Sequence, residues 1–364
     1  MKHLFVTLAV ALTATAGSIS AQKLPPLEFT SGHDLTLINK LIDTPRRYAR
    51  VDTLKYDGFT DYQRRALVQQ SAGLALAFET NSDCIYANIR YQKRGANYNG
   101  PDLSVSGLDL YIKDADGQWI YAGNNTPRKQ QKPDETFKLV LDMDPGNKEC
   151  LLYLPTYSIV DSVNIGVTPG CYVRPIENPF RHRIVFFGSS YTHGSSVSRA
   201  GMTYPLQFER ATGLHTPVLG VSANSKLQQS FARVLADTPA DAFVFAAFSH
   251  PTVDEIEQNF EPFLATVRSK HPTTPIIFMQ TIRRERRNFD RATEARDQAK
   301  MDMAQKVVMK AMAKDPNVYF IVPSTGPGHE ATCDGTHPSD LGYYFWMNSI
   351  KDPILRILDT YGIR

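Results

Sequence analysis

Two hydrophobic periods divide the chain. Between about residues 50 and 170, apolar and polar residues alternate over short stretches that break at Gly, Asp or Asn, as in GLALAFET (73–80) and DSVNIGV (161–167). Alternation with period two is typical of strands with one buried face. The residues DADG (114–117) separate two such stretches and predict a hairpin turn. The first half is therefore predicted to be an antiparallel β-sandwich of jelly-roll type.

The second half repeats a different unit, in which short apolar runs alternate with longer stretches of helical period. The apolar runs predict strands at 184–187, 217–219, 242–247, 276–280 and 318–322. The other stretches predict helices at 202–212, 226–235, 253–271, 292–314 and 340–361. This alternation indicates a parallel sheet with helices on both faces, a three-layer α/β/α fold. Sites in such sheets form at the carboxyl ends of the strands.

A proline-bearing segment, RPIENPFRHR (174–183), separates the two patterns. It predicts a β-sandwich domain at residues 22–175 and an α/β domain at residues 176–364. Residues 1–21 have a basic start, an apolar stretch and small residues ending at Ala21, which is typical of a cleaved secretory signal peptide. The sequence therefore predicts an exported protein, periplasmic or extracellular. No other apolar stretch approaches the roughly 20 residues of a membrane span.

Composition and charge narrow the classes of partner. The chain is 42% hydrophobic and 21% charged, as soluble globular proteins are, and its formal charge of +3 is too small to indicate nucleic acid or an anionic membrane. Four arginines within 283–287 are interpreted as a solvated face or loop, with contact to an acidic ligand as the alternative. Export would permit disulfides among the four cysteines, with three possible sets of pairs. The spacings of these cysteines fit no zinc site. The cysteines are Cys84, Cys150, Cys171 and Cys333.

The first apolar strand of the second half ends in GSSYTHG (188–194), which places small hydroxyls at the carboxyl edge of the predicted sheet. A Gly-Ser-Ser turn by itself also fits a helix cap or a phosphate-binding turn. The Gly-x-Ser-x-Gly elbow of α/β-hydrolases is not matched, because Thr192 stands in the place of the second glycine.

A second motif, DGTH (334–337), changes the interpretation of the serine turn. Asp334 and His337 are three residues apart, just before the last predicted helix. At this spacing the carboxylate can reach Nδ1 of the histidine, which leaves Nε2 free to take a proton. A serine becomes a good nucleophile when such a base stands beside it. The two motifs together predict a nucleophilic serine.

These blocks resemble those of the SGNH (GDSL-type) hydrolases. GSSYTHG…SRAGMTYP (188–205) and DGTHPSDLG (334–342) are similar to the motifs that open and close the hydrolase domain in a bacterial two-domain branch of that family. The resemblance covers roughly residues 180–360. It extends to the first half, where VSGLDLYIKDADGQW and YLPTYS resemble the β-sandwich that precedes the hydrolase domain. The resemblance implies ester hydrolysis without a metal or organic cofactor.

The resemblance also implies residue roles. Ser190 matches the nucleophile, His337 the general base and Asp334 its orienting carboxylate. The family's oxyanion hole uses the nucleophile's own N–H, a glycine N–H and an asparagine side chain. Here Ala223 replaces the glycine, which costs little unless that glycine's φ is positive. His250 replaces the asparagine, and is either a substitute donor or a structural or ligand-facing residue.

The resulting prediction is an exported serine esterase that removes a small acyl group, O-acetyl on carbohydrate by family resemblance, through an acyl-enzyme. His193 and Asn224 are candidates for substrate contact, with a polar rim position as the alternative for His193. The partner is a small-molecule or glycan acyl ester, and the oligomeric state is open. The β-sandwich is expected to complete the rim of the site or cover the hydrolase sheet, with independent binding of carbohydrate as the alternative. Two other functions stay open, a glycan-binding protein with an impaired hydrolase domain and a lipid-type acyl hydrolase.

Overall fold

The alternating stretches of the first half form two antiparallel sheets. The computed structural model describes residues 24–128 and 135–364, so the predicted signal peptide at 1–21 lies outside the described residues. In chain order, the strands described in this half are β1 (Glu28–Ser31), β2 (Thr36–Ile38), β3 (Ala75–Thr80), β4 (Ile85–Lys93), β5 (Leu108–Lys113), β6 (Trp119–Asn125), β7 (Phe137–Val140), β8 (Lys148–Tyr153), β9 (Ile159–Val167) and β10 (Val173–Pro175). One sheet has the order β1-β9-β4-β7, and the other has the order β10-β3-β8-β5-β6 with β2 beside β3.

The predicted antiparallel sandwich is confirmed, whereas its jelly-roll type stays a prediction. β5 and β6 form the expected hairpin, in which the N–H of Asp114 donates to the carbonyl of Gln118 at 2.9 Å. Helical segments in this half are short where the structure describes it. They are a 3₁₀ turn at Gly32–Asp34, a π-helical turn at Gln63–Leu67 and α1 (Asp102–Val105).

The second sheet of the sandwich is buried on both faces. One face packs on the first sheet, with Phe78 and Leu152 in the same apolar cluster as Ile165. The opposite face carries Ala77 and Tyr153, which pack against the α/β domain. Burial on both faces explains why β8 is apolar at consecutive positions instead of alternating.

The second half forms the predicted parallel sheet. Its strands are β11 (Arg181–Gly188), β12 (Leu214–His215), β13 (Val218–Gly220), β14 (Ala242–Ala246), β15 (Ile276–Met279) and β16 (Val318–Ile321). Its α-helices are α2 (Ser190–His193), α3 (Tyr204–Thr212), α4 (Gln229–Ala236), α5 (Val253–Arg268), α6 (Arg291–Met312) and α7 (Asp340–Asp359), with 3₁₀ turns at Ala200–Met202 and Glu285–Arg287. The strand order is β12-β11-β14-β15-β16, and β13 also pairs with β11.

Helices cover both faces of this sheet, which confirms the three-layer α/β/α prediction. Phe187 of β11 contacts Phe231 of α4 and Phe263 of α5, with ring centroids 5.6 and 5.7 Å apart. Phe186, the preceding residue, points to the other face and contacts Phe208 of α3 at 5.6 Å. Successive residues of a strand point to opposite faces, so a continuous apolar run is what a sheet covered on both sides requires.

Packing crosses the boundary predicted at residues 175 and 176. Leu41, Val51 and Leu67, which precede most of the sandwich strands, lie in the same apolar cluster as Val185 and Phe231 of the α/β domain. The segment 41–68 therefore covers the α/β domain, although it lies in the part of the chain assigned to the sandwich. Among the described residues, no helix has the length and hydropathy that crossing a membrane requires.

Candidate active site

The chain around Ser190 turns sharply from a strand into a one-turn helix. β11 ends at Gly188, and α2 begins two residues later. Ser189 caps this helix, its Oγ accepting from the N–H of Tyr191 at 3.4 Å. A Cβ at Gly188 would lie 2.2 Å from Oγ1 of Thr192, so the turn is tight enough to exclude a side chain there. Ser190 stands at the carboxyl edge of the sheet, as the sequence predicts.

Ser190, His337 and Asp334 form one hydrogen-bonded chain. Ser190 Oγ lies 3.0 Å from His337 Nε2, and His337 Nδ1 lies 2.9 Å from Asp334 Oδ2. Because the carboxylate accepts, Nδ1 carries the proton and Nε2 is free to accept from the serine hydroxyl. The two motifs, 147 residues apart, therefore meet as a nucleophile, a base and a carboxylate.

Asp334 is held as a carboxylate by its own loop. Its Oδ1 accepts from the backbone N–H groups of Thr336 at 2.8 Å and His337 at 2.6 Å. Partial burial by itself raises the pKa of Asp334, but the backbone N–H and the ring of His337 together with the N–H of Thr336 outweigh it, so the pKa lies below its usual value. The carboxylate therefore stays ionised and keeps His337 in the tautomer described above.

Tyr191 and Arg284 fix the loops around this chain of groups. The Tyr191 hydroxyl donates to the carbonyl of Thr336 at 3.0 Å and accepts from Nε of Arg284 at 2.9 Å. Arg284 also donates to the carbonyl of Ser249 at 2.7 Å. The interpretation of the arginine run as a solvated face is wrong for Arg284 and for Arg287, because both side chains are largely buried.

Ala223 lies on an exposed turn in the left-handed region, at φ +57°. A residue with a Cβ is strained at a positive φ, so the replacement of glycine by alanine at this position has a cost in stability. Arg50 supports the turn, since its buried guanidinium donates to the carbonyl of Gly220 at 2.7 Å. In the described part of the chain, neither the N–H of Ser190 nor that of Ala223 is among the groups that donate to another backbone carbonyl.

His250 lies on the loop that follows β14, and two buried cations bond the backbone of this loop. The carbonyl of Ser249 accepts from Arg284 and from Lys300, the latter at 2.8 Å. Burial, followed by the nearby charges of Arg284 and Lys300, lowers the pKa of His250 to about 3. The ring is therefore neutral at ordinary pH and carries one N–H donor.

The substrate contact expected at His193 is wrong, because this ring is fully buried. Its Nε2 lies 2.7 Å from the carbonyl of Thr156, its Nδ1 accepts from the N–H of Ser222 at 3.4 Å, and the ring stacks on Tyr157 with centroids 4.3 Å apart. Burial, followed by the charge of Arg50, holds its pKa well below the usual value. His193 thus joins the serine helix to the sandwich.

Asn224 is half-buried beside the turn of Ala223. Its Nδ2 donates to the carbonyl of Ser222 at 2.9 Å, and its Oδ1 accepts from Gln63 at 3.3 Å. Its contact with a substrate stays a prediction.

Asn99 is a neighbour of the site that the sequence did not indicate. Its Nδ2 donates to Asp334 Oδ2 at 2.5 Å and lies 3.2 Å from His337 Nδ1. The stretch RGANYNGPD (94–102) has the composition of a loop, but nothing in it identifies a partner 235 positions later.

The structure shows the cysteines and the possible metal ligands over the described residues. The four cysteines, all described, are free thiols, and Cys333 beside Asp334 is exposed. Within residues 24–128 and 135–364, no three His, Cys, Asp or Glu side chains lie together in a way that could hold a metal ion. The absence of a cofactor stays a prediction.

Comparison with known proteins shows the family. A family model of GDSL-like lipases and acylhydrolases matches residues 181–356, and a model of the N-terminus of SGNH-hydrolase-type esterases matches residues 27–173. A Bacteroides ovatus protein described as a GDSL-like lipase is 37% identical, with a TM-score of 0.87 over 92% of this chain and 98% of its own. The chain therefore belongs to the SGNH (GDSL-type) hydrolase family and is an ester hydrolase of that type.

More distant structures share the fold. A salicylyl-acyltransferase from a tetracycline biosynthetic pathway is 19% identical, with a TM-score of 0.75 over 93% of this chain and 99% of its own. A family two carbohydrate esterase from Cellvibrio japonicus is 12% identical, with a TM-score of 0.55 over 79% and 90% of the two chains. No curated protein matches the sequence.

Proposed function

We propose that this protein is an exported serine esterase that removes a small acyl group, O-acetyl on carbohydrate, through a Ser190–His337–Asp334 triad. The observation that carries the proposal is the unbroken hydrogen-bonded chain from Ser190 Oγ through His337 to Asp334. A hydrolase domain without activity has no need to keep this geometry. The intact series of hydrogen bonds therefore disfavours a glycan-binding protein with an impaired site. Export rests on the sequence of residues 1–21.

In the acylation step Ser190 Oγ attacks the carbonyl carbon of the ester while its proton passes to His337 Nε2. Asp334 stabilises the imidazolium through the Nδ1–H bond. The tetrahedral intermediate collapses as the C–O bond to the alcohol breaks, and His337 gives its proton to the leaving oxygen. Water then attacks the acyl-enzyme with His337 as base, which releases the carboxylic acid and restores the Ser190 hydroxyl.

The negative oxygen of each intermediate needs donors that are already in place. The N–H groups of Ser190 and Ala223 supply two of them, and neutral His250 supplies the third through one ring nitrogen. A neutral imidazole suits this task because it donates a hydrogen bond, while its low pKa keeps it from taking the proton that His337 carries.

The substrate class rests on resemblance. Carbohydrate esterases are among the solved structures that share the fold, and two-domain relatives of this kind are expected to take small acyl groups. The test is the hydrolysis of p-nitrophenyl esters of increasing acyl length, followed by acetate release from acetylated oligosaccharides. Ser190→Ala is expected to lower kcat/KM by about 10⁴-fold or more. Equal turnover by Ser190→Ala and the native protein would refute the triad, and a preference for long acyl chains would refute the small-acyl substrate.

A further inference from the structure

The loop at residues 94–101, between β4 and α1, reaches from the sandwich to the catalytic histidine. It is anchored on the sandwich at Gly95, whose N–H donates to Ser158 Oγ at 2.9 Å. A Cβ at Gly95 would lie 2.0 Å from the carbonyl oxygen of Tyr157, so the close approach there requires glycine. On the other side Asn97 Nδ2 donates to Ser195 Oγ of the α/β domain at 3.3 Å. The loop is therefore bonded to both domains.

Asn99 makes the contact that matters for the triad. The Oδ2 atom of Asp334 accepts from both His337 Nδ1 at 2.9 Å and Asn99 Nδ2 at 2.5 Å, while Oδ1 is occupied by two backbone N–H groups. Asn99 Nδ2 and His337 Nδ1 lie 3.2 Å apart. Both are donors, so they bond the same oxygen and not each other. Asn99 therefore shares its acceptor with the catalytic base.

We infer that Asn99 is a positioning residue, supplied by the sandwich, that orients the Asp334 carboxylate toward His337, so that both domains build the active site. The inference rests on the proposed function. It assigns the sandwich a part in catalysis that covering the hydrolase sheet would not give it.

The position of Asn99 has a consequence for proton transfer. An N–H bonded to Oδ2 withdraws negative charge from the oxygen that faces His337 Nδ1. Removing that donor strengthens the attraction between the carboxylate and the imidazolium, and loosens the orientation of the carboxylate. The first effect keeps His337 protonated to higher pH, and the second lowers the rate at every pH.

Other ionisable groups face the same pair and are unchanged in the variants below. They come from the serine helix, from the loops after β14 and β15, and from the loop of Asp334 itself: Tyr191, His250, Arg284, Arg286 and Cys333. Arg94, the first residue of the 94–101 loop, lies 3.6 Å from Asp102, the first residue of α1, and the two charges offset each other. A difference between variants at Asn99 therefore reports on the amide.

The experiment compares Asn99→Ala and Asn99→Asp with the native protein, using a p-nitrophenyl acetate assay across pH. Asn99→Ala is expected to lower kcat about 10- to 100-fold with little change in KM, and to move the acid limb of kcat/KM to higher pH. Asn99→Asp places a second carboxyl group against Oδ2 of Asp334, so one of the two groups keeps a proton and the limb is expected to move less than in Asn99→Ala. Tyr98→Ala is the matched control, because it changes an exposed side chain of the same loop and leaves the Asn99 amide.

A second readout is independent of turnover. In a Ser190→Ala background, the ring-proton resonance of His337 followed by NMR should titrate at higher pH in Asn99→Ala than in the native protein, and by a smaller shift in Asn99→Asp. An unchanged acid limb and titration in both Asn99 variants, or an equal shift in Tyr98→Ala, would overturn the inference. Failure of the esterase proposal would appear instead as equal activity of Ser190→Ala and the native protein, and the NMR titration would still decide the role of Asn99.

Discussion

Arg199 Nη1 lies 3.0 Å from Oδ2 and 3.1 Å from Oδ1 of Asp109, which joins the segment after the serine helix to strand β5 of the sandwich. The Asp109 side chain is fully buried, and its Oδ2 also accepts from the N–H of Gly201 at 2.7 Å. The residues GLDLY (107–111) spell the pattern after which the matched N-terminal family model is called GxDLY. In this protein the pattern forms an ion pair between the domains.

Asp109→Ala should lower the free energy of unfolding by about 3–5 kcal/mol, because it leaves the Arg199 guanidinium and the Gly201 N–H without their buried acceptor. Urea denaturation measures this loss. The control is the double variant Asp109→Leu with Arg199→Met, which removes both charges and should lose less. A double variant as unstable as Asp109→Ala would show that packing, and not the unpaired charge, sets the cost.

Glu209 makes stability depend on pH. Burial raises its pKa to about 7, although Thr216, Asn39 and Tyr153 donate to its carboxylate. In the unfolded chain a glutamate titrates near pH 4.3, so between about pH 4.3 and 7 the folded state holds a proton that the unfolded state releases. Its contribution to stability is complete below that window and is lost as the pH rises through 7.

Glu209→Gln cannot release this proton. The unfolding free energy of the native protein should therefore fall relative to that of Glu209→Gln as the pH rises from 5 to 8, by up to about 3 kcal/mol. Urea denaturation of both proteins at four pH values measures the difference. Parallel curves would mean that Glu209 titrates normally in the folded protein.

His250 is expected to act as the third oxyanion donor. His250→Ala should lower kcat for an acetyl ester by about 100- to 1000-fold, with a smaller effect on KM, since the donor acts on charge that develops in the transition state. His250→Asn carries an amide donor at the same position and should recover part of the activity. Steady-state kinetics distinguish the two variants, and equal loss in both would assign His250 to the structure of its loop.

Ala223 occupies a backbone conformation that suits glycine. Ala223→Gly should raise the free energy of unfolding by about 0.5–1 kcal/mol, because relief of the left-handed strain exceeds the added freedom of the unfolded chain. The substitution keeps the N–H, so the esterase activity should be retained. Denaturant titration and a kcat/KM measurement check both parts, and a loss of activity would show that the alanine methyl group takes part in the site.

Local pattern was sufficient for the elements and for the motifs of this protein. Strand alternation, helical period and the Gly-Ser-Ser and Asp-x-x-His blocks depend on residues a few positions apart, so each could be recognised without knowing what it packs against. The meeting of Ser190 with His337 and Asp334 was predicted from the two blocks taken together and from their resemblance to the SGNH hydrolases.

The sequence by itself thus determined the order of the two folds, the strands and helices of the parallel sheet, and the residues Ser190, Asp334 and His337. Only the tertiary structure decided that His193 is buried against Tyr157, that residues 41–68 cover the α/β domain, and that Asn99 reaches Asp334. These relations depend on how two separately patterned surfaces dock. Docking is set by complementary packing and buried polar contacts between distant residues, and no local period records it.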